Sequence, residues 1–162
     1  VNHNGFSGAS RPVFDGTNAF IATGHGNGEM ICVRVDGAGD VTDTHVIWRN
    51  NRGFPRMPSP VLVNGLLFMV SDSGIASCLD AATGEQQWQE RLGGDYSASL
   101  LCAGDRVYAF GQDGKTTVFK AARTYQVLAT NHLPGGFMAS PAVDGNALIL
   151  RTKTHLYRIE NR

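Results

Sequence analysis

The chain has 162 residues, with 14 basic and 14 acidic side chains, 42% hydrophobic and 17% charged residues. That balance excludes a disordered tail, which carries more charge and fewer apolar residues, and an electrostatic nucleic-acid binder, which carries a basic excess or stripe. No apolar run approaches the roughly 20 residues of a membrane-spanning helix, and the length suffices for one domain with a core.

The chain opens Val1-Asn2-His3-Asn4-Gly5, without an initiator Met or a basic-then-apolar leader, and reads as a mature product or a piece of a longer chain. Its first ten residues, rich in Asn, Gly and Ser, hold no evident strand. A repeat then begins. Four segments join a small-residue start to an apolar stretch and a turn glycine: Arg11-Pro12-Val13-Phe14-Asp15-Gly16, Ser59-Pro60-Val61-Leu62-Val63-Asn64-Gly65, Ser99-Leu100-Leu101-Cys102-Ala103-Gly104 and Ser140-Pro141-Ala142-Val143-Asp144-Gly145. The anchor glycines are separated by 49, 39 and 41 residues. Periods of this size indicate propeller blades or helical arrays.

The runs that follow are strands. After each anchor comes a short apolar run: Ala19–Ala22, Leu66–Val70, Val107–Phe110 and Ala147–Leu150. Turns at Gly24–Gly28, Asp72–Gly74 and Gln112–Gly114 lead in the first three repeats to a third run, and all four have one: Ile31–Val35, Ile75–Leu79, Thr116–Phe119 and His155–Ile159. Asn-Gly and Asp-Gly favour tight hairpins, because both residues tolerate the positive φ of a type I′ turn. Fourth runs close three repeats, at His45–Trp48, Glu85–Trp88 and Tyr125–Ala129, whereas the fourth repeat stops after its third strand. No helical stripe is sustained anywhere. The expected fold is all-β: a single partial β-propeller domain over 1–162, with blades of four antiparallel strands. The approximate repeats are 10–50, 57–92, 96–133 and 137–162, about four blades with the last incomplete.

The stretch Cys78-Leu79-Asp80-Ala81-Ala82-Thr83-Gly84-Glu85-Gln86-Gln87-Trp88 carries the most specific pattern. It resembles the tryptophan-docking signature of quinoprotein-type repeats, Ala-x-Asp-x-x-Thr-Gly-x-x-x-Trp, with Cys78 replacing the leading Ala. Asp80 and Thr83 are expected to bond within the turn, Gly84 to supply its φ, and Trp88 to pack between blades. The first repeat keeps the outline with insertions before Trp48, and the third lacks both Asp and Trp. The chain thus resembles the C-terminal part of a bacterial, planctomycete-like PQQ-binding-like β-propeller protein. The resemblance implies a periplasmic or secreted setting and concerns the repeat, not a bound quinone.

Sharper chemistry finds little support. A quinone-dependent dehydrogenase of this family needs a calcium site, a catalytic Asp and, in many members, adjacent cysteines; Cys32, Cys78 and Cys102 are scattered in apolar stretches and read as small buried hydrophobes. The carboxylates Asp36, Asp40 and Asp43 do not follow EF-hand spacing. Gly24–Glu29 leads into a strand, so it fails as a nucleotide fingerprint. The five histidines lack short metal-ligand spacings, and no nucleophile elbow occurs. The basic cluster Trp48–Arg56 reads as an exposed link between blades. No catalytic residue, metal, calcium or PQQ site is expected within this chain.

The loops entering the inner strands place Arg11, Arg56, Tyr96, Phe137 and Met138 on one rim, with aromatic and Arg side chains suited to binding. The alternative is that Tyr96, Phe137 and Met138 pack between blades. The leading expectation is a non-catalytic scaffold or binding domain for other proteins or for missing blades, resembling propellers that help assemble outer-membrane proteins. The runner-up is a fragment of a PQQ-dependent quinoprotein oxidoreductase whose catalytic residues lie elsewhere. Open blade edges also suggest self-association of two such pieces.

Overall fold

A computed structural model describes residues 1–160. Strands β1 (Asn4–Phe6) and β4 (His25–Asn27) form a small two-stranded sheet. Blade 1 consists of β2 (Val13–Phe14), β3 (Asn18–Ala22), β5 (Met30–Arg34) and β6 (Val46–Asn50). Blade 2 consists of β7 (Val61–Val63), β8 (Leu66–Val70), β9 (Ile75–Asp80) and β10 (Gln86–Arg91). Blade 3 has β11 (Leu101–Ala103), β12 (Arg106–Phe110), β13 (Lys115–Lys120) and β14 (Val127–His132). The fourth sheet has three strands, β15 (Ala142–Asp144), β16 (Ala147–Arg151) and β17 (Leu156–Ile159). All pairings are antiparallel, and the described residues contain no helix.

The core lies between blades, which explains the sequence of the second strands. Strand β8 is apolar and buried along its whole length. With side chains alternating across a sheet, Leu67 and Met69 join Phe20, Met30, Cys32 and Trp48 of blade 1, while Leu66, Phe68 and Val70 join Val107, Ala109 and Phe119 of blade 3. A third cluster joins Phe110 of blade 3 to Phe137 and Leu150 of blade 4. The arc is open: no strand pairing or backbone hydrogen bond joins blade 4 to blade 1 among the described residues.

Two local expectations need correction. The N-terminal residues do hold a strand, and the Gly24–Gly28 segment is more than a turn. Here β1 pairs with β4, not with the edge of blade 4. Glycine makes this pairing possible, since a Cβ on Gly24 would stand 2.4 Å from the Phe6 carbonyl oxygen. Secondly, among the two-residue hairpin loops of the described residues only Asn64-Gly65 carries positive φ at both positions (49° and 73°), as type I′ requires. In the two-residue loops Gly104-Asp105 and Gly145-Asn146 only the glycine does.

The cysteines are reduced and differ in access. Burial pushes the Cys32 thiol up to about 11 and Cys78 up to about 12, and it raises the half-buried Cys102 as well. In a maleimide time course Cys102 is therefore expected to react first, with Cys32 and Cys78 labelled only on unfolding, as read by peptide mass spectrometry.

Candidate interaction surface

The repeat motif acts across blade boundaries. In three blades the outer strand bulges just before the same pair: Trp48 lies opposite Cys32, Trp88 opposite Cys78, and Ala129 opposite Val118. Trp48 donates its indole N–H to the Ala81 carbonyl of blade 2 (2.9 Å), and Trp88 donates to the Ala122 carbonyl of blade 3 (3.0 Å). Each tryptophan is thus seated in the next blade's turn. Gly84 receives Trp48: a Cβ there would lie 2.6 Å from the indole. Trp88 in turn packs against Phe68, Phe119 and Tyr125, with ring centroids 6.0, 5.5 and 5.0 Å away.

Within the motif turn, Asp80 accepts the backbone N–H groups of Ala82 (3.0 Å) and Thr83 (3.3 Å), and the Thr83 hydroxyl accepts that of Glu85 (3.2 Å). Asp80 also binds Arg123 of blade 3 at 2.7 Å, and this guanidinium, ahead of the backbone donors, holds the Asp80 carboxyl below the usual range. A depressed folded-state pKa stabilises the fold above the unfolded carboxylate's pKa, and the benefit disappears as pH falls through the folded value. Asp80→Asn is expected to lower stability at neutral pH and flatten its acid limb, measured by urea unfolding from pH 7 downwards.

A second device, not anticipated in the sequence, lines the rim where inner strands begin. The backbone N–H of Arg11 donates to the Ser59 hydroxyl (2.9 Å), that of Ser59 to Ser99 (3.1 Å), and that of Ser99 to Ser140 (3.0 Å). The sequence shows small residues at these positions but not their role, because each bond spans a whole repeat. The recurrence of Ser ahead of the inner strands of blades 2, 3 and 4 is the available signal.

The five rim residues divide. Arg11 and Arg56 are exposed, and Met138 is 58% exposed. Tyr96 and Phe137 are buried, at 0% and 1% exposure, and do not belong to an accessible rim. Each plugs the junction between the blade just left and the blade entered, Tyr96 against Phe68 and Val107 in one cluster, Phe137 against Phe110 and Leu150 in another. Arg56 occupies the corresponding place at the first junction, three residues before Ser59, and Phe54 packs there instead.

Arg11 borders an open cleft of about 590 Å³ along the inner strands, between Val13, Phe14, Val61, Leu62 and Leu101. Met138 borders a hollow of about 290 Å³ with Arg151 and Lys153 at the free end of blade 4. No three His, Cys, Asp or Glu side chains converge among the described residues. Asp36 is engaged by Arg34 (3.0 Å), and Asp40 by Thr42 (2.6 Å). No helix of the described residues is long and apolar enough to cross a membrane.

Comparison with known proteins agrees with this architecture. The family described as outer membrane protein assembly factor BamB matches residues 7–90. The outer membrane protein assembly factor BamB of Burkholderia pseudomallei (strain K96243) is 25% identical over 125 residues, covering 70% of this chain and 32% of that protein. Among solved structures, BamB from Moraxella catarrhalis has a TM-score of 0.63 at 17% identity, over 85% of this chain and 40% of that one. The computationally designed Ika4 protein scores 0.71 at 12% identity, over 98% and 93% of the two chains. A europium-containing methanol dehydrogenase scores 0.61 at 15% identity, over 75% and 24%. The chain spans about a third of the curated relative's length. With a family match over more than half its residues and the blade motif that carries it, this chain belongs to the BamB-type family of PQQ-like β-propeller repeats.

Proposed function

We propose that the chain is a non-catalytic β-propeller scaffold that binds other proteins in an extracytoplasmic bacterial setting, periplasmic or secreted, and works without quinone or calcium. The observation that carries this reading is the match of residues 7–90 to a family of assembly factors. The chemistry of the motif supports it: Asp80, Trp48 and Trp88 are occupied in joining blades, leaving Arg11, Arg56 and Met138 exposed for a partner.

Purified outer-membrane assembly proteins, passed over the immobilised chain, test the reading. Binding is expected, and Arg11→Glu combined with Arg56→Glu is expected to weaken it about tenfold or more. Absence of binding to every such protein would overturn the reading. The second reading, a fragment of a quinoprotein oxidoreductase, draws on the methanol dehydrogenase likeness. Under the scaffold reading, titration with PQQ and Ca²⁺ leaves the thermal midpoint unchanged; a saturable upward shift would favour the enzyme fragment.

A further inference from the structure

The serines that tie successive blades together at the rim use only their oxygens for that purpose. Ser59, Ser99 and Ser140 each accept a backbone N–H from the blade before, and among the described residues none of the three donates its own O–H to another protein group. Three hydroxyl protons are therefore free to donate. Arg11 holds the same position in blade 1, ahead of Pro12 and Val13 as Ser59 stands ahead of Pro60 and Val61. There the repeat carries a guanidinium in place of a hydroxyl, and among the described residues that side chain makes no ion pair. All four residues line one hollow of about 320 Å³, which no acidic side chain enters.

This hollow caps the cleft that runs along the inner strands. The two share Arg11, Pro60, Leu100 and Leu101, and the cleft continues along Val13, Val61 and Leu62 without another charged side chain. Its walls are the inner strands of blades 1, 2 and 3, each a four-stranded sheet. Strands β2, β7 and β11 each end their sheet, so one edge of each keeps its backbone N–H and C=O groups unpaired. The chemistry of the two parts defines an occupant. Hydroxyl and guanidinium donors at the cap select an anion with more than one oxygen, and a guanidinium is well matched to a carboxylate. Apolar walls select aliphatic side chains, and open strand edges select a peptide main chain over a lipid tail, which has nothing to pair with them. Because the donors stand at the end of the cleft, the charge belongs at the end of the bound chain.

We propose that the chain captures the C-terminus of a protein partner. The terminal carboxylate lies between Arg11 and the hydroxyls of Ser59, Ser99 and Ser140, and the apolar last residues lie along Val13, Val61, Leu62 and Leu101. The inner strands run away from the cap, from Ser59 to Val63 and from Ser99 to Ala103, so the captured segment lies antiparallel to them. The inference deepens the scaffold reading and rests on it, by naming the part of the partner that is held.

Fluorescence anisotropy of the full chain with a short N-terminally labelled peptide of alternating serine and valine, ending in valine, tests it. Saturable binding in the micromolar range is expected for the free acid, and binding about tenfold weaker or less for its C-terminal amide. Arg11→Gln keeps the backbone N–H given to Ser59 and is expected to weaken the free acid about tenfold, to the level of the amide. Arg106→Gln, at the opposite end of blade 3 from Ser99, is expected to change neither. No binding of the free acid, equal affinity for acid and amide, or a preference that survives Arg11→Gln would overturn the proposal. So would an amidated peptide with an internal aspartate that binds as well as the free acid. Assembly proteins that stay bound to the immobilised chain in excess free-acid peptide remove this inference and leave the scaffold reading, whereas failure of all of them to bind removes that reading.

Discussion

Replacing Trp88 by Ala is expected to lower the stability of the chain by about 3–5 kcal/mol. Trp88 is 8% exposed and sits where three aromatic rings of blades 2 and 3 converge, so truncation empties the middle of the largest core cluster. The loss also orphans the Ala122 carbonyl. In a chain of this size the corresponding fall in thermal midpoint is about 10 °C, read by calorimetry or circular dichroism. Trp88→Phe keeps most of the apolar volume and removes the indole donor. Its expected cost is about 1 kcal/mol for the lost hydrogen bond, with any excess measuring the packing lost between the two rings. Equal effects from the two substitutions would contradict the seating of the indole between blades.

Gly84→Ala is expected to destabilise by about 2–4 kcal/mol, although it adds one methyl group to a surface turn. The φ of Gly84 is +74°, a conformation that L side chains adopt only at a cost, and the new methyl would press on the Trp48 indole of the preceding blade. Gly104→Ala separates these causes: its φ is +61°, and nothing lies within 4 Å of the place its methyl would take. Only the backbone cost of about 1–2 kcal/mol is expected there. The difference between the two variants, measured by urea denaturation, isolates the pressure on Trp48. A double variant with Trp48→Ala is expected to recover that difference, because the added methyl then enters a space already vacated.

The inner blade strands were legible as apolar runs bounded by turn residues, and runs such as Leu66–Val70 require burial on both sides. The first repeat's longer period was visible as well, but its cause was not. Seven residues separate β3 from β5 and eleven separate β5 from β6, against four and five in blade 2. Both extended connections receive the N-terminal segment, one through β4 and the other through Thr42. A Gly-rich partner such as His25-Gly26-Asn27 has little side-chain signal, since its pairing is carried by the backbone. Tyr96 and Phe137 were placed correctly in their loops, while their direction depended on room left by neighbouring blades. The space that swallows an aromatic at two junctions is filled at the first by Phe54, so the same loop position exposes Arg56. Motif residues predicted from Asp80 to Trp88 found their turn; that the motif is shared between consecutive blades emerges only from the contacts.

Planting each tryptophan in the neighbouring blade makes the arc a chain of couplings, in which the melting of one unit removes a support from the one before it. Ala129 interrupts that chain. It stands where Trp48 and Trp88 stand, and the whole of β14 is exposed. The first three blades are thereby wired into one cooperative block, whereas the fourth is attached through Phe137, Leu150 and the Ser99–Ser140 bond. With fewer such couplings, the fourth blade is the unit whose amides are expected to exchange soonest.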